Sequence, residues 1–272
     1  MLELRSALEG WAESTISRLL YNDAHRANNL VTCFTLNNPT IMEVLEKKEM
    51  GVFVKNPKEL LRPEDWSFFA LYTTVDYLSN MEFMSKLQTE EKLILLRSSA
   101  SKCSLFSGAM RTFRQKRDRM TTIDGQDIYP NEVIKYLINQ KGAADFLNQI
   151  RSFVVSRVIE LNVTTEEYVL ITAIIFCDPG NLCDLKNPES HKFARTIVSA
   201  QQRSFANALF QYCLHAHQQH GPTRFTDLLS LCPIIHRNFE NLQYLTMLFR
   251  LAIREAGLEK TVKFKNIVEE LI

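Results

Sequence analysis

Apolar residues recur along most of this chain at intervals of three and four rather than at every second position, so the hydrophobic pattern predicts helices almost throughout. A first helix is expected over roughly residues 2–32. The segment 39–61 contains Gly51 and Pro57 and is expected to be irregular in part. Pro63-Glu64-Asp65 then opens a long helix, with proline in the first turn and acids at the positive end of the helix dipole, predicted to run to about residue 87. Thr89-Glu90-Glu91 begins the next. Its apolar positions (Leu93, Ile94, Leu95, Leu96, then Leu105, Phe106, Ala109, Met110) are spread around the helix, which implies burial on all sides at the centre of the molecule.

Residues 120–129 read MTTIDGQDIY, and Asp124-Gly125 between β-branched neighbours predicts a single β-hairpin. Further helices are expected over about 131–140, 143–161, 166–177, 191–219 and 225–257. Asn162-Val163-Thr164, Asp178-Pro179-Gly180 and Gly221-Pro222 separate them, and a short helix follows over 263–272. With only eight glycines and eight prolines and no internal repeat, the chain reads as all-α.

At 272 residues, one large domain or two small ones are possible; single cores stop growing at roughly 250–300 residues, and one domain is expected. Apolar residues at 46% and charged residues at 23% are ordinary for a folded protein, so neither disorder nor a membrane-spanning design is expected. A formal net charge of +1 argues against general attraction to nucleic acid or anionic lipid. The basic run from Arg111 to Arg119 is either a local phosphate contact or a solvated turn, and it has no recognisable nucleic-acid module around it.

The six cysteines form no CxxC pair, which predicts a reducing compartment and no zinc finger in this chain. The opening residues have no leader-like apolar run, so a soluble intracellular chain is expected. His215, His217 and His220 lack the i, i+4 spacing that places two metal ligands on one helix face, and a structural or surface role is expected for them. No nucleophile elbow, phosphate loop, dinucleotide fingerprint or HExxH is present, so no enzymatic activity, cofactor or metal is expected.

Residues 75–97, VDYLSNMEFMSKLQTEEKLILLR, resemble the signature that joins the third to fifth helices of nuclear hormone receptor ligand-binding domains. That family has an aromatic near Tyr77, Phe-x-x-Leu near Met84 to Leu87, and Asp-Gln-x-x-Leu-Leu-Lys/Arg where this chain has Glu91-Lys92-Leu93-Ile94-Leu95-Leu96-Arg97. Glu167 followed by Ala173-Ile174 and Asp178-Pro179 is similar to the family's eighth helix, and Asp227-Leu228-Leu229-Ser230-Leu231 to the start of its tenth. The terminal Ile267-Val268-Glu269-Glu270-Leu271-Ile272 fits the activation-helix pattern of two apolar residues, any residue, glutamate and two apolar residues. Glu-Lys in place of Asp-Gln, and Ala100 where tryptophan is common, resemble the divergent nematode receptors.

The resemblance implies a three-layered antiparallel helical sandwich of about eleven or twelve helices with one small hairpin. Residues 1–272 would form one ligand-binding domain: variable N-terminal helices over 1–62, a helical core over 63–257 and the activation helix over 263–272. It also implies coregulators with LxxLL helices as partners. Such a helix buries its leucines in a groove and leaves backbone groups unsatisfied at both ends. Val75 and Ser79 on one wall, Leu93 and Arg97 on the other, and Ile267, Glu270 and Leu271 from the last helix are the expected groove. Glu270 would accept from the peptide's N-terminal N–H groups. The family's clamp lysine on the third helix is replaced by Ser79, so Arg97 is expected to cap the peptide's carbonyls, and Arg97→Ala to abolish peptide capture.

Arg111 stands fourteen residues after Arg97, where several family members hold a ligand's carboxylate or polar head. With Trp66, Phe69, Ala70, Thr73, Leu105 and Gly108 it forms the expected pocket for a lipophilic, fatty-acid-like ligand. Leu242, Leu245 and Phe249 face either the core or a dimer partner, whether a second copy or another nuclear receptor. The implied setting is transcription control in the nucleus, with or without shuttling to the cytoplasm. DNA would be reached only through a zinc-finger domain that this chain lacks, so the chain is either a fragment or a receptor without its own DNA contacts. The competing expectation is a ligand-independent helical dimerisation or adaptor module of the same fold.

Overall fold

The computed structural model describes residues 40–46, 63–122, 127–128, 142–183, 189–257 and 266–271. The described α-helices, in chain order, are α1 (Ile41–Leu45), α2 (Pro63–Ser79), α3 (Thr89–Arg114), α4 (Ala143–Leu161), α5 (Thr165–Phe176), α6 (Lys192–His217), α7 (Gly221–Leu229), α8 (Leu231–Glu255) and α9 (Asn266–Leu271). The fold is all-α, as the helical periodicity predicts. The helices expected over 2–32 and 131–140 lie outside the described residues.

Two helices form the centre. Ten of the twelve residues of α5 are buried, because its sequence is apolar on every side, and it packs between α3 and α6. The 26-residue α3 touches α2, α4, α5, α8 and α9, so every element of the candidate site is positioned by it. α3 starts at a capping box in which the Gln88 N–H donates to the Glu91 carboxylate at 2.9 Å. α5 starts at another, in which Thr164 and Glu167 exchange backbone-to-side-chain bonds of 2.9 and 3.3 Å. α4 ends at Asn162, whose left-handed backbone (φ 46°) breaks the helix where the sequence places the turn.

Three boundaries differ from the sequence expectation. α2 stops at Ser79 and is followed by a 3₁₀ turn over Glu82–Lys86. The side chains of Ser79 and Asn80 both donate to the Asp76 carbonyl, at 2.8 and 2.6 Å, which competes with helix continuation. The helix expected over 225–257 is two helices parted at Ser230, because Pro233 in the first turn of α8 has no N–H to offer the carbonyl four residues back. The hairpin reduces, among the described residues, to one antiparallel bridge between Thr121 and Asp127, with its Asp124-Gly125 turn outside them. The Met120 N–H is engaged by the Arg151 carbonyl at 2.8 Å instead of a partner strand.

Gly221 opens α7 against the end of α6. A Cβ there would lie 2.7 Å from the Leu214 Cα and 2.9 Å from the Cys213 carbonyl oxygen, both backbone atoms that cannot swing aside. Gly221→Ala is therefore expected to lower the unfolding free energy by about 1–3 kcal/mol in urea titrations. A change within about 0.5 kcal/mol, the size of an ordinary surface substitution, would mean that the two helix ends part freely.

Candidate coregulator groove and buried arginine

The last helix docks on α2 and α3. Leu271 is buried, and its carbonyl accepts from the Ser101 hydroxyl of α3 at 2.9 Å. Glu270 pairs with Arg97 of α3 at 3.1 Å, with the arginine side chain 52% and the glutamate 21% exposed. Burying one leucine contributes about 1.5–3 kcal/mol, whereas a pair this exposed contributes at most about 1 kcal/mol. Of these two contacts Leu271 contributes more to the docking, and the ion pair fixes which way Glu270 faces. Its second oxygen, Oε1, accepts the backbone N–H of Ile41 at 3.3 Å, at the first residue of α1.

Val75 is fully buried on α2, Ser79 is half-buried one turn further on, and Leu93 is half-buried against the core on α3. Ile267 lies in α9, and its side chain falls outside the described residues. Arg97 and Glu270 touch, and in this arrangement the guanidinium, half exposed, holds the glutamate.

Further along α3, the Arg111 guanidinium donates through Nη2 to the Thr121 carbonyl at 3.1 Å. Its Nε is sealed from solvent without a hydrogen-bond partner, and Arg111 makes no ion pair among the described residues. Burial pulls its pKa down to about 10, against a smaller opposing influence from Tyr168. It remains protonated at neutral pH, a charge without a counter-charge among the described residues. Tyr168 of α5 is itself fully buried; burial raises its phenol above the usual range, against the Ser107 hydrogen bond of 2.7 Å.

Leu105 is buried on the same helix. Gly108 is covered by Met120, whose Sδ would lie 3.2 Å from a Cβ added at the glycine. Ala70 and Thr73 are half-buried on α2, where the Thr73 hydroxyl donates to the Ala70 carbonyl at 3.2 Å. Trp66 and Phe69 also lie in α2, with side chains outside the described residues. The structure thus groups Leu105, Gly108 and Arg111 on one helix. The rest of the basic run is an exposed turn over residues 115–119, and Arg114 is bound to the Thr165 hydroxyl.

The family model for the ligand-binding domain of nuclear hormone receptor matches residues 64–252, which span α2 through most of α8. The chain belongs to that family. Among curated nematode receptors, nuclear hormone receptor family member nhr-51 of Caenorhabditis elegans is 29% identical over 94% of this chain and 66% of its own length. Family member nhr-9 of the same organism is 31% identical over 91% of this chain and 69% of its own length. This receptor chain spans about two thirds of the length of those relatives.

On the receptor's α8, Leu245 is buried in the core and so is unavailable to a dimer partner. Leu242 and Phe249 are half-buried against the same core. The apolar side chains that α8 exposes are Tyr244, Met247 and Leu251, one stripe at helical spacing that periodicity alone could not separate from the buried face. Of the three histidines near the end of α6, His217 places its Nε2 3.5 Å from the buried Glu167 carboxylate. α1 falls in the segment 39–61, expected to be irregular in part, within the N-terminal helices expected over 1–62. The signal was present in Thr40 followed three residues later by Glu43, a capping box ahead of apolar Ile41, Val44 and Leu45.

Proposed function

We propose that this receptor domain recruits coregulator helices of the LxxLL type at the groove between α2, α3 and α9, under the control of a lipophilic ligand with an anionic head. Members of its family regulate transcription in the nucleus, and the same role is proposed here. The observation that carries the reading is the carboxylate of Glu270. It is oriented by Arg97, and its other oxygen already accepts the backbone N–H at the N-terminus of α1, the kind of group that a coregulator helix leaves unsatisfied. Arg111 supports the ligand: a protonated guanidinium with a buried, unpartnered Nε suits a carboxylate better than it suits a ligand-free adaptor. The exposed Tyr244, Met247 and Leu251 stripe of α8 is the proposed face for a second receptor chain.

Fluorescence polarisation with an LxxLL peptide tests the groove. Measured in a chain carrying Ile41→Ser, so that loss of the Ile41 cap does not offset the effect, Glu270→Ala is expected to weaken binding about tenfold, near the upper end for a part-buried charge at a helix terminus. An unchanged affinity in that variant would remove the groove reading.

A further inference from the structure

α1 reads Ile41-Met42-Glu43-Val44-Leu45, an apolar residue, two of any kind, then two apolar residues, which is the spacing that an LxxLL helix presents to its groove. Ile41 is fully buried, Val44 nearly so, and Leu45 packs against the same core, whereas Glu46 just beyond is exposed. The helix packs on α2 and α3, the two helices on which α9 docks.

Its N-terminal donors are satisfied in the manner of a bound peptide. The Ile41 N–H donates to Glu270 at 3.3 Å, across 229 residues of chain. The Glu43 N–H donates to the Thr40 hydroxyl at 3.2 Å, and the Thr40 N–H to the Glu43 carboxylate at 2.8 Å. A five-residue helix does not hold itself together in water, so its helical form depends on this docking.

We propose that residues 40–45 are a tethered occupant of the coregulator groove, a built-in helix that an incoming coregulator must displace. The proposal rests on the groove reading above. Its consequence is competition: the apparent affinity for a coregulator falls by the fraction of molecules in which the groove is open. The glutamate that would cap the incoming helix is the one already capping Ile41.

The test compares the full chain with its I41S/V44S variant, using a fluorescent LxxLL peptide and, separately, a labelled peptide of residues 37–50. The variant is expected to bind the LxxLL peptide about tenfold more tightly, as for a groove open in about one wild-type molecule in ten. Unlabelled 37–50 peptide is expected to compete that binding away. Equal LxxLL affinities in the two chains would overturn the tethered occupant while leaving coregulator binding standing. If LxxLL binds neither chain, the labelled 37–50 peptide decides. Saturable binding to the variant that Glu270→Ala weakens would support the occupant although the coregulator reading had failed, and absent binding would overturn it. Should I41S/V44S not fold, Thr40→Ala takes its place, since it removes the cap and keeps every buried apolar side chain. A modest tightening is then expected, and unchanged affinity overturns the proposal.

Discussion

Glu167→Ala is expected to destabilise the domain by about 3–5 kcal/mol, because it leaves a largely buried guanidinium, 14% exposed, without its counter-charge. Glu167 is wholly buried on α5, and Arg224 of α7 grips it with two parallel bonds, Nε to Oε1 at 2.7 Å and Nη2 to Oε2 at 2.5 Å. The same guanidinium donates through Nη1 to the Leu161 carbonyl at 2.6 Å, so one ion pair ties the end of α4, the start of α5 and α7 together. The hydrogen bond to Glu167 is the main reason that the Arg224 pKa is held above its ordinary value. Glu167 also closes the α5 capping box through Thr164, which adds about 1 kcal/mol to what is lost. Urea denaturation of Glu167→Ala, Arg224→Ala and the double variant checks this. Each single change is expected to cost nearly as much as both together, since either one strands a buried charge. Two small, additive losses would show that solvent reaches the pair.

Arg111→Met is expected to act in opposite directions on ligand and on fold. It removes the group proposed to meet an anionic head, so affinity for a long-chain carboxylate should fall by about 2–5 kcal/mol, the range for truncating one partner of a buried charge pair. Without ligand, the same change removes a poorly partnered charge and its orphaned Nε, and the thermal midpoint should rise by the equivalent of about 1–3 kcal/mol, less the lost bond to the Thr121 carbonyl. Binding measured by displacement of a fluorescent fatty acid, beside melting of the ligand-free chain, separates the two effects. A variant that melts lower and binds the carboxylate as well as wild type would place Arg111 among ordinary structural residues.

Periodicity and capping made much of this fold legible. α4 was readable end to end, because an amphipathic run closes on Asn162 just before the Thr164–Glu167 box. The break at Ser230 was also written in the chain, at Pro233, but a continuous apolar stripe across it concealed the missing N–H. The site was legible as a set of residues and not as a geometry. The resemblance marks Arg97 and Glu270 as charged groups beside the proposed groove; whether they stand apart or touch depends on how α9 lies across α3, a tertiary distance that no local pattern encodes. Leu245 and Met247 illustrate the same limit, since both are apolar on one helix and only packing decides which is covered. The bounds of α1 within 39–61 are not legible, because one turn of helix has too few positions to establish a period.

Arg97, Ser101 and Arg111 stand on a single unbroken helix, the first two gripping the terminal segment and the third about 21 Å from Arg97 and about 15 Å from Ser101 at 1.5 Å per residue. A rod packed on so many sides has little freedom to bend, so a small slide or roll at one end is carried to the other. Any small molecule that seats the tail more firmly by this route must in turn be retained more firmly once the tail has captured its peptide, and by the same factor.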